Sequence, residues 1–420
     1  MRLVSFEVRG FKNIVAPVRL DDLGPINILH GENNVGKSNV LHAMEVFFSF
    51  LEFAGEQGAW VPVVKPVPIH RDVLNRARIR SDDLFNYAVP NPIQMTAKLA
   101  IAAEELERGG IAPLLDVSTI TIVMAITRLG EAVLLQLPSF RFGDGTDIAH
   151  EQPTAERKQF VMRFAAFLTG RFLGKQRMHR VDVDRHLDTV VDALYDAHVS
   201  VDRAQAKQWE RFAEAMSGFQ DILGDGRFLV VLPRSPDAKP QLLFETPSMR
   251  VPFHALGSGV QEMVAVLGSI LTSGASVVFL EEPEVHLRWA LQERVRDVLV
   301  GLVGKDGAPS QLVVTSHSGA FETGPFFYLM QRGDPGPTLE RRPIAQAPLV
   351  VGGPVADVAG KAPAVPAHVS AEGILRLPER IRKAIGVEEG GGVSFVDKGE
   401  GIVEVMTDDT FLKLAGPDDA

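Results

Sequence analysis

The sequence predicts an α/β protein: a core of alternating strands and helices, a helical insertion, and a small, mostly-β unit at the C-terminal end. Three observations lead there. Apolar runs of strand length alternate with helical patterns along much of the chain, which argues for a sheet covered by helices. One strand, INILHG, runs into a glycine-rich turn and then a helical stretch, GENNVGKS followed by NVLHAMEVFFSF. From residue 333 the composition shifts to Pro, Ala, Gly and Val with few charges, so a linker sets off the C-terminal segment.

Size and composition bound the possibilities. A chain of 420 residues suggests two or three domains. With 45% apolar and 23% charged residues it is an ordinary globular composition, which excludes a largely disordered or fibrous protein. The net charge of −10 excludes a blanket polycationic nucleic-acid binder but leaves room for a local basic patch. The absence of cysteine excludes disulfides, cysteine nucleophiles and Cys-ligated zinc, and fits a reducing compartment. The opening MRLVSFEVRGFKNI has charges throughout and lacks the apolar stretch of a signal peptide. The uncharged run Met263–Leu280 is long enough to resemble a membrane span, but TSGAS in its middle is a turn signal, so it reads as a buried helix, a turn and a buried strand. A cytoplasmic protein with no membrane partner is expected.

Taken in order, LVSFEVR at 3–9 alternates as a strand should, and INILHG, ending at Gly31, is a second strand. From Ser38, residues Val40, Leu41, Met44, Phe47 and Phe48 fall at helical spacing on one face. Residues 58–92 are proline-rich without a period and read as loop. Strand-like runs follow at 94–101, 119–128 and 132–136, a nearly proline-free helical block from about 155 to 222, and strands at 228–232 and 242–245. Helix, strand, helix and strand then alternate to about Thr315. No repeat of solenoid length and no sustained heptads appear.

GENNVGKS fits G-x-x-x-x-G-K-[S/T], with the apolar strand before it and the helix after it that such a loop needs. Gly31 and Gly36 let the backbone curl so that its N–H groups meet phosphate oxygens, and the helix beginning near Lys37 adds its positive end. Lys37 would reach the β- and γ-phosphates and Ser38 would ligate Mg²⁺. Asn33, Asn34 and Asn39 lie in and beside this nucleotide-binding loop.

SVVFLEEPEVHL is an apolar strand ending in two carboxylates. Beside a phosphate loop, such a strand end holds the metal and activates water: Glu281 in the Mg²⁺ shell, Glu282 as the base for the attacking water. The competing reading is a solvated strand end before a proline turn. LVVTSHS, another apolar strand, ends at Thr315, Ser316 and His317, and His317 would contact the γ-phosphate. LGSGVQE, at 256–262, is a small-residue turn opening a helix; its backbone N–H groups and Ser258 would bind phosphate, or Ser258 would simply cap the helix.

These four motifs together resemble the ATP-binding-cassette-type ATPases of the SMC and RecF group, and in particular the single-head AAA-type ATPases related to the OLD (overcoming lysogenization defect) family. The similarity covers roughly residues 1–330, with GENNVGKS as Walker A, LGSGVQ as the signature motif, VVFLEEPEVHL as Walker B with the D-loop, and TSHS as the switch-histidine loop. The resemblance implies a P-loop ABC-type ATPase head over 1–332, with a helical lid inserted at about 150–225. It implies ATP and Mg²⁺ as ligands, and a head-to-head homodimer or higher oligomer. In that dimer Gly257, Ser258, Gly259 and Gln261 of one subunit would meet the nucleotide on the other. Walker B usually carries Asp where Glu281 stands, and the Q-loop glutamine is not obvious, with Gln94 as the candidate metal-shell residue. The 217 residues between Ser38 and Leu256 leave no room for a long coiled coil, and the tail after Ser318 lacks the acidic pattern of the TOPRIM nuclease many OLD-type proteins carry.

Two further stretches bear on partners. Residues 157–185 hold eight Lys/Arg against two acids, with Phe160, Phe164, Phe167 and Phe172 interleaved. Arg163, Arg171, Lys175, Arg177 and Arg180 could track a nucleic-acid backbone; the alternative, a lid helix with a solvated basic face, is the commoner meaning of such a run. After the linker at 333–365, the unit at 366–408 resembles the swapped-hairpin fold of the AbrB, MazE and SpoVT group, on the turn Glu372-Gly373, the run RLPERIRKAIG and the glycine-rich turn after it. That resemblance implies a dimerisation domain. Arg376, Arg380, Arg382 and Lys383 stand where family members bind DNA, but residues 365–420 carry six Lys/Arg against eleven Asp/Glu, which favours a dimer clip. Residues 409–420 form an acidic tail.

The expected function is an ATP-hydrolysing switch coupled to a DNA-associated process, defence against foreign DNA or genome maintenance, or to a separate effector nuclease or toxin. Double-stranded DNA is a candidate partner. The competing function is an ATP-sensing scaffold with little turnover that reads DNA or masks a partner through its C-terminal unit.

Overall fold

The structure is a computed structural model and describes residues 2–56, 66–85, 92–101, 119–143, 145, 147, 178–181, 183–232, 239–285, 287–305, 308–321, 324–344, 382, 393–399 and 402–407. It divides into two units, Met1–Ile344 and Ala345–Ala420.

The first unit holds two six-stranded sheets. The antiparallel sheet has the order β2-β1-β5-β6-β7-β4, from β1 (Arg2–Arg9), β2 (Val18–Leu20), β4 (Val67–Pro68), β5 (Ile93–Ala100), β6 (Thr119–Leu129) and β7 (Ala132–Phe142). Its strands alternate buried and exposed residues, as a sheet with one covered face requires. The second sheet has the order β15-β14-β3-β13-β12-β8, from β3 (Ile26–Gly31), β8 (Met178–Val181), β12 (Val277–Glu281), β13 (Gln311–Ser316), β14 (Phe326–Gln331) and β15 (Thr338–Pro343). All its neighbours run parallel except the β14–β15 pair. Residues Val277–Leu280 and Gln311–Ser316 are buried at every position, the mark of central parallel strands covered on both faces.

Helix α1 (Lys37–Glu56) supplies that cover on one side. Its apolar residues join those of β1 and β5–β7, together with Val277, Phe279, Val313, Tyr328 and Met330 of the parallel sheet, in one continuous core. Phe47 of α1 meets Phe6 of β1 edge to face at 5.8 Å. Gln311 stitches the two sheets: fully buried, it donates to the Leu3 and Gly24 carbonyls (both 2.9 Å) and accepts from the Leu3 amide (3.0 Å).

Two short helices, α2 (Arg71–Arg76) and α3 (Ser81–Leu84), and strand β4 occupy part of the proline-rich stretch expected to be loop; β4 exists because it pairs with β7. The block expected to be helical contains α4 (Val183–Val199), α5 (Arg203–Ser217) and α6 (Gln220–Leu223), but also β8, a strand imposed by pairing with β12 rather than by its own pattern. Strands β9 (Arg227–Val231), β10 (Gln241–Glu245) and β11 (Arg250–Pro252) form a small antiparallel sheet. Helix α7 (Ser258–Ser273) follows, ended by Gly274 in the left-handed conformation, and β12 begins three residues on. The uncharged run is thus a helix, a turn and a strand. No helix among the described residues is long and apolar enough to cross a membrane. Helix α8 (Trp289–Leu302) links β12 to β13. Part of the expected linker is ordered: residues 338–343 are β15, paired along their whole length with β14.

In the second unit, β16 (Val393–Gly399) and β17 (Ile402–Thr407) form an antiparallel hairpin. The run RLPERIRKAIG at 376–386 falls outside the described residues except for Arg382.

Candidate functional site

The site forms where β3, β12 and β13 end side by side, at the carboxyl edge of the parallel sheet, the edge at which open α/β sheets bind ligands. β3 ends at Gly31 and the chain turns through 32–36 into α1. Gly36 has φ of +118°, and a Cβ there would sit 2.8 Å from Asn13 Nδ2 and 2.9 Å from Asn13 Oδ1. A Cβ on Gly31 would collide with the Met330 carbonyl oxygen on the neighbouring strand. Asn34, at φ 62°, takes the left-handed conformation that asparagine tolerates. At Gly31 and Gly36 the loop therefore has no room for a side chain, because its neighbours Met330 and Asn13 already stand there.

Lys37 folds back across this loop. Its ammonium donates to the carbonyls of Gly31 (2.8 Å) and Glu32 (3.0 Å) and lies 3.6 Å from Glu282 Oε1, with the side chain 3% exposed. An ammonium this buried needs a counter-charge, and Glu282 provides it. Asn13 braces the loop from outside: its Nδ2 donates to the Val35 carbonyl (3.1 Å) and its Oδ1 accepts from Asn39 Nδ2 (2.8 Å). Beside it, Lys12 donates to His42 Nδ1 (2.8 Å), which obliges His42 to donate through Nε2 to the Ala77 carbonyl (3.1 Å). Sequence reading missed Asn13, because nothing in the turn after the first strand announces contact with a loop twenty-odd residues later.

β12 ends at Glu281, whose Cα pairs with Thr315. The next residue, Glu282, has φ of 43°; its amide donates to the Thr315 carbonyl (3.0 Å) and to Thr315 Oγ1 (3.2 Å). The Glu282 carboxylate, 30% exposed, lies between Lys37 and His317, with Oε1 3.8 Å from His317 Nδ1. β13 ends at Ser316, and His317 stands half-exposed just beyond it. Glu284, also missed in the sequence, is buried beneath His317: its Oε1 accepts from Ser316 Oγ (2.7 Å) and from the His317 amide (2.9 Å).

His30, one residue before the loop, is fully buried. Its Nδ1 bonds the Ser316 carbonyl at 3.2 Å, so that nitrogen carries the proton. Burial pushes its pKa from 6.5 down to about 4, with Lys37 and His317 adding to the shift and the Ser316 bond opposing it. The imidazole is neutral and ties β3 to the end of β13.

At 256–261 Gly257, not Ser258, is the helix N-cap, and no side chain caps α7 there. Gln261 holds the turn by donating to the carbonyls of Leu256 (2.7 Å) and His254 (3.2 Å). Gly257, Ser258 and Gly259 thus sit at a helix start that follows the β9–β11 sheet in the chain.

The structure brings Gly31, Gly36, Lys37, Glu282 and His317 together, with Ser38 on the first turn of α1 and Glu281 at the end of β12. It does not bring Gln94 to them: that residue is exposed within β5 of the antiparallel sheet, opposite Arg9 and Ala125. Arg180 lies in β8, opposite Phe279. Arg163, Arg171, Lys175, Arg177, Arg376, Arg380 and Lys383 lie outside the described residues, and Arg382 is described only as a helical position.

Residues 205–321 match a family described as "AAA domain, putative AbiEii toxin, Type IV TA system". An SMC head domain bound to the C-winged helix domain of ScpA superposes with a TM-score of 0.51 at 15% identity, over 83% of this chain and all of that one. The fold is that of an SMC head. The Smc head domain from Pyrococcus furiosus, bound to the C-terminal domain of ScpA, gives 0.49 at 13% identity, over 82% of this chain and 97% of that one. The SMC head domain from Thermotoga maritima gives 0.46 at 13%, over 81% and 99%. No curated protein matches the chain. The AAA segment and the head fold mark an ATPase-type nucleotide-binding protein.

Proposed function

We propose that this protein is an ATP-hydrolysing molecular switch whose heads close in pairs on ATP and open after hydrolysis. The observation that carries it is Glu282, within 4 Å of both Lys37 and His317 at the mouth of a glycine-curled loop.

Each residue has a task in phosphoryl transfer, which needs positioning and charge neutralisation rather than covalent chemistry. The backbone N–H groups between Gly31 and Ser38 take the phosphate oxygens, and Lys37 reaches the β- and γ-phosphates. Glu282 neutralises Lys37 until an incoming phosphate takes over that role and frees Glu282 to orient and deprotonate the attacking water. His317 contacts the γ-phosphate. Ser38 and Glu281 are hard oxygen donors of the kind Mg²⁺ takes, and would hold it. The ion, when bound, neutralises charge on the phosphates. Gly257, Ser258, Gly259 and Gln261 of a second copy would close over the nucleotide with their uncapped helix start.

The partners follow from the same reading. The AbiEii description supports a toxin-type effector, and the complex of an SMC head with the C-winged helix domain of ScpA supports a protein partner on the head. A two-stranded hairpin is marginal alone, so β16–β17 is best used as a dimerisation clip. Double-stranded DNA remains the candidate for the basic stretch around Arg163–Arg180. The test is ATP hydrolysis with and without double-stranded DNA, beside Lys37→Ala and Glu282→Gln. Lys37-dependent turnover that Glu282→Gln lowers by roughly 10²–10⁴-fold supports the switch. Turnover indifferent to Glu282 sinks it, and indifference to DNA moves the partner from DNA to protein.

A further inference from the structure

Glu284 is a carboxylate that packing alone does not explain. Its side chain is 2% exposed, yet Oε2 has no hydrogen-bond partner. A buried charge left half-satisfied is costly, and such groups are retained where chemistry uses them. The other oxygen, Oε1, accepts from Ser316 Oγ and the His317 amide and lies 3.4 Å from His317 Nδ1.

The surrounding loops are tied so that this pairing persists. Gln292 of α8 donates to the carbonyls of Glu284 (3.1 Å) and Leu287 (2.8 Å) and accepts from Ser318 Oγ (2.7 Å). The turn after β12 and the turn after β13 are therefore held by one amide.

Resting on the ATPase reading above, we propose that Glu284 is a positioning residue that holds His317 by Nδ1–H and so presents Nε2 to the γ-phosphate. Both groups facing Nδ1, Glu282 at 3.8 Å and Glu284 at 3.4 Å, are carboxylates and accept only, so Nδ1 carries the proton. Once Glu282 turns to water, Glu284 is the fixed counter-charge; the neutral His30 is the other titratable group paired with the ring. A phosphate oxygen is also an acceptor, so contact through Nε2 calls for an N–H on that atom as well. The logic is that of an acid that fixes a histidine's donor atom and orientation.

The test uses the full chain and Glu284→Gln, whose amide oxygen still accepts from Ser316 and His317 but whose charge is gone. In the wild type, the ¹⁵N signal of His317 Nδ1, assigned by its loss in His317→Ala, reads as protonated. In Glu284→Gln it moves toward the unprotonated position. The kcat for ATP falls by roughly 10- to 100-fold, the range seen when a carboxylate orienting a histidine is removed. KM and ADP affinity stay within about twofold, and in the His317→Ala background the same substitution changes kcat no further. An unprotonated Nδ1 in the wild type overturns the proposal without any variant. An unmoved signal in Glu284→Gln, or a kcat loss that persists without His317, also overturns it. A wild type with no Lys37-dependent hydrolysis sinks the ATPase reading instead, and the nitrogen signal still decides the pairing.

Discussion

Acid should weaken this protein through His30. The ring is buried at the junction of β3 and β13 and its pKa falls from 6.5 to about 4. The unfolded chain therefore takes up a proton near pH 6.5 that the native state refuses until about pH 4, so the stability is intact above pH 6.5 and is lost as pH falls toward 4. At about 1.36 kcal/mol per pKa unit, the full loss is about 3 kcal/mol, and about 2 kcal/mol of it falls between pH 7 and pH 5. The perturbation is His30→Gln, which keeps a donor for the Ser316 carbonyl but cannot titrate. Urea unfolding followed by tryptophan fluorescence is the assay, because Trp209 and Trp289 lie in the first unit and residues 345–420 contain no tryptophan. The wild type should lose about 2 kcal/mol more than His30→Gln on going from pH 7 to pH 5. Equal losses in the two proteins would refute the reasoning.

Three other outcomes are expected. Lys37→Ala should weaken ADP binding by roughly 10- to 100-fold, the value of one charge-assisted hydrogen bond, measured by fluorescent-nucleotide titration. Gly36→Ala places a Cβ within 2.9 Å of both Asn13 amide atoms at a φ of +118°, so thermal melts should show about 1–3 kcal/mol lost, and nucleotide affinity should fall with it. Gln311→Leu takes their buried side-chain partner from the Leu3 amide and carbonyl, while the Gly24 carbonyl keeps Asn27 Nδ2, and should cost about 2–4 kcal/mol in urea unfolding with little change in nucleotide affinity.

Local chemistry made much of the site legible in the chain alone. A loop that must curl around phosphate needs glycine at Gly31 and Gly36, and a lysine directly after it, so Gly31–Ser38 announced itself. Strands buried on both faces read as unbroken apolar runs, so β12 and β13 were visible, and the polar residues at their ends, Glu281, Glu282 and His317, stood out against them. The helical period of α1 and the αL glycine after α7 were equally local.

What the tertiary structure alone decided is everything that depends on long-range pairing. MHRV at 178–181 has no strand pattern of its own and is a strand because β12 offers it a parallel partner. Thr338–Pro343 sits in linker-like composition and is a strand because β14 pairs with it. Gln94 looked available and is held in the other sheet. Asn13, Glu284 and Gln292 matter only because folding brings the turn after β1 against the phosphate loop and the turn after β12 against the turn after β13. Residue type and spacing encode the contacts a backbone makes with its own neighbours. Contacts between segments tens to hundreds of residues apart are set by how the sheets order and stack, and that order is written in no single stretch of sequence.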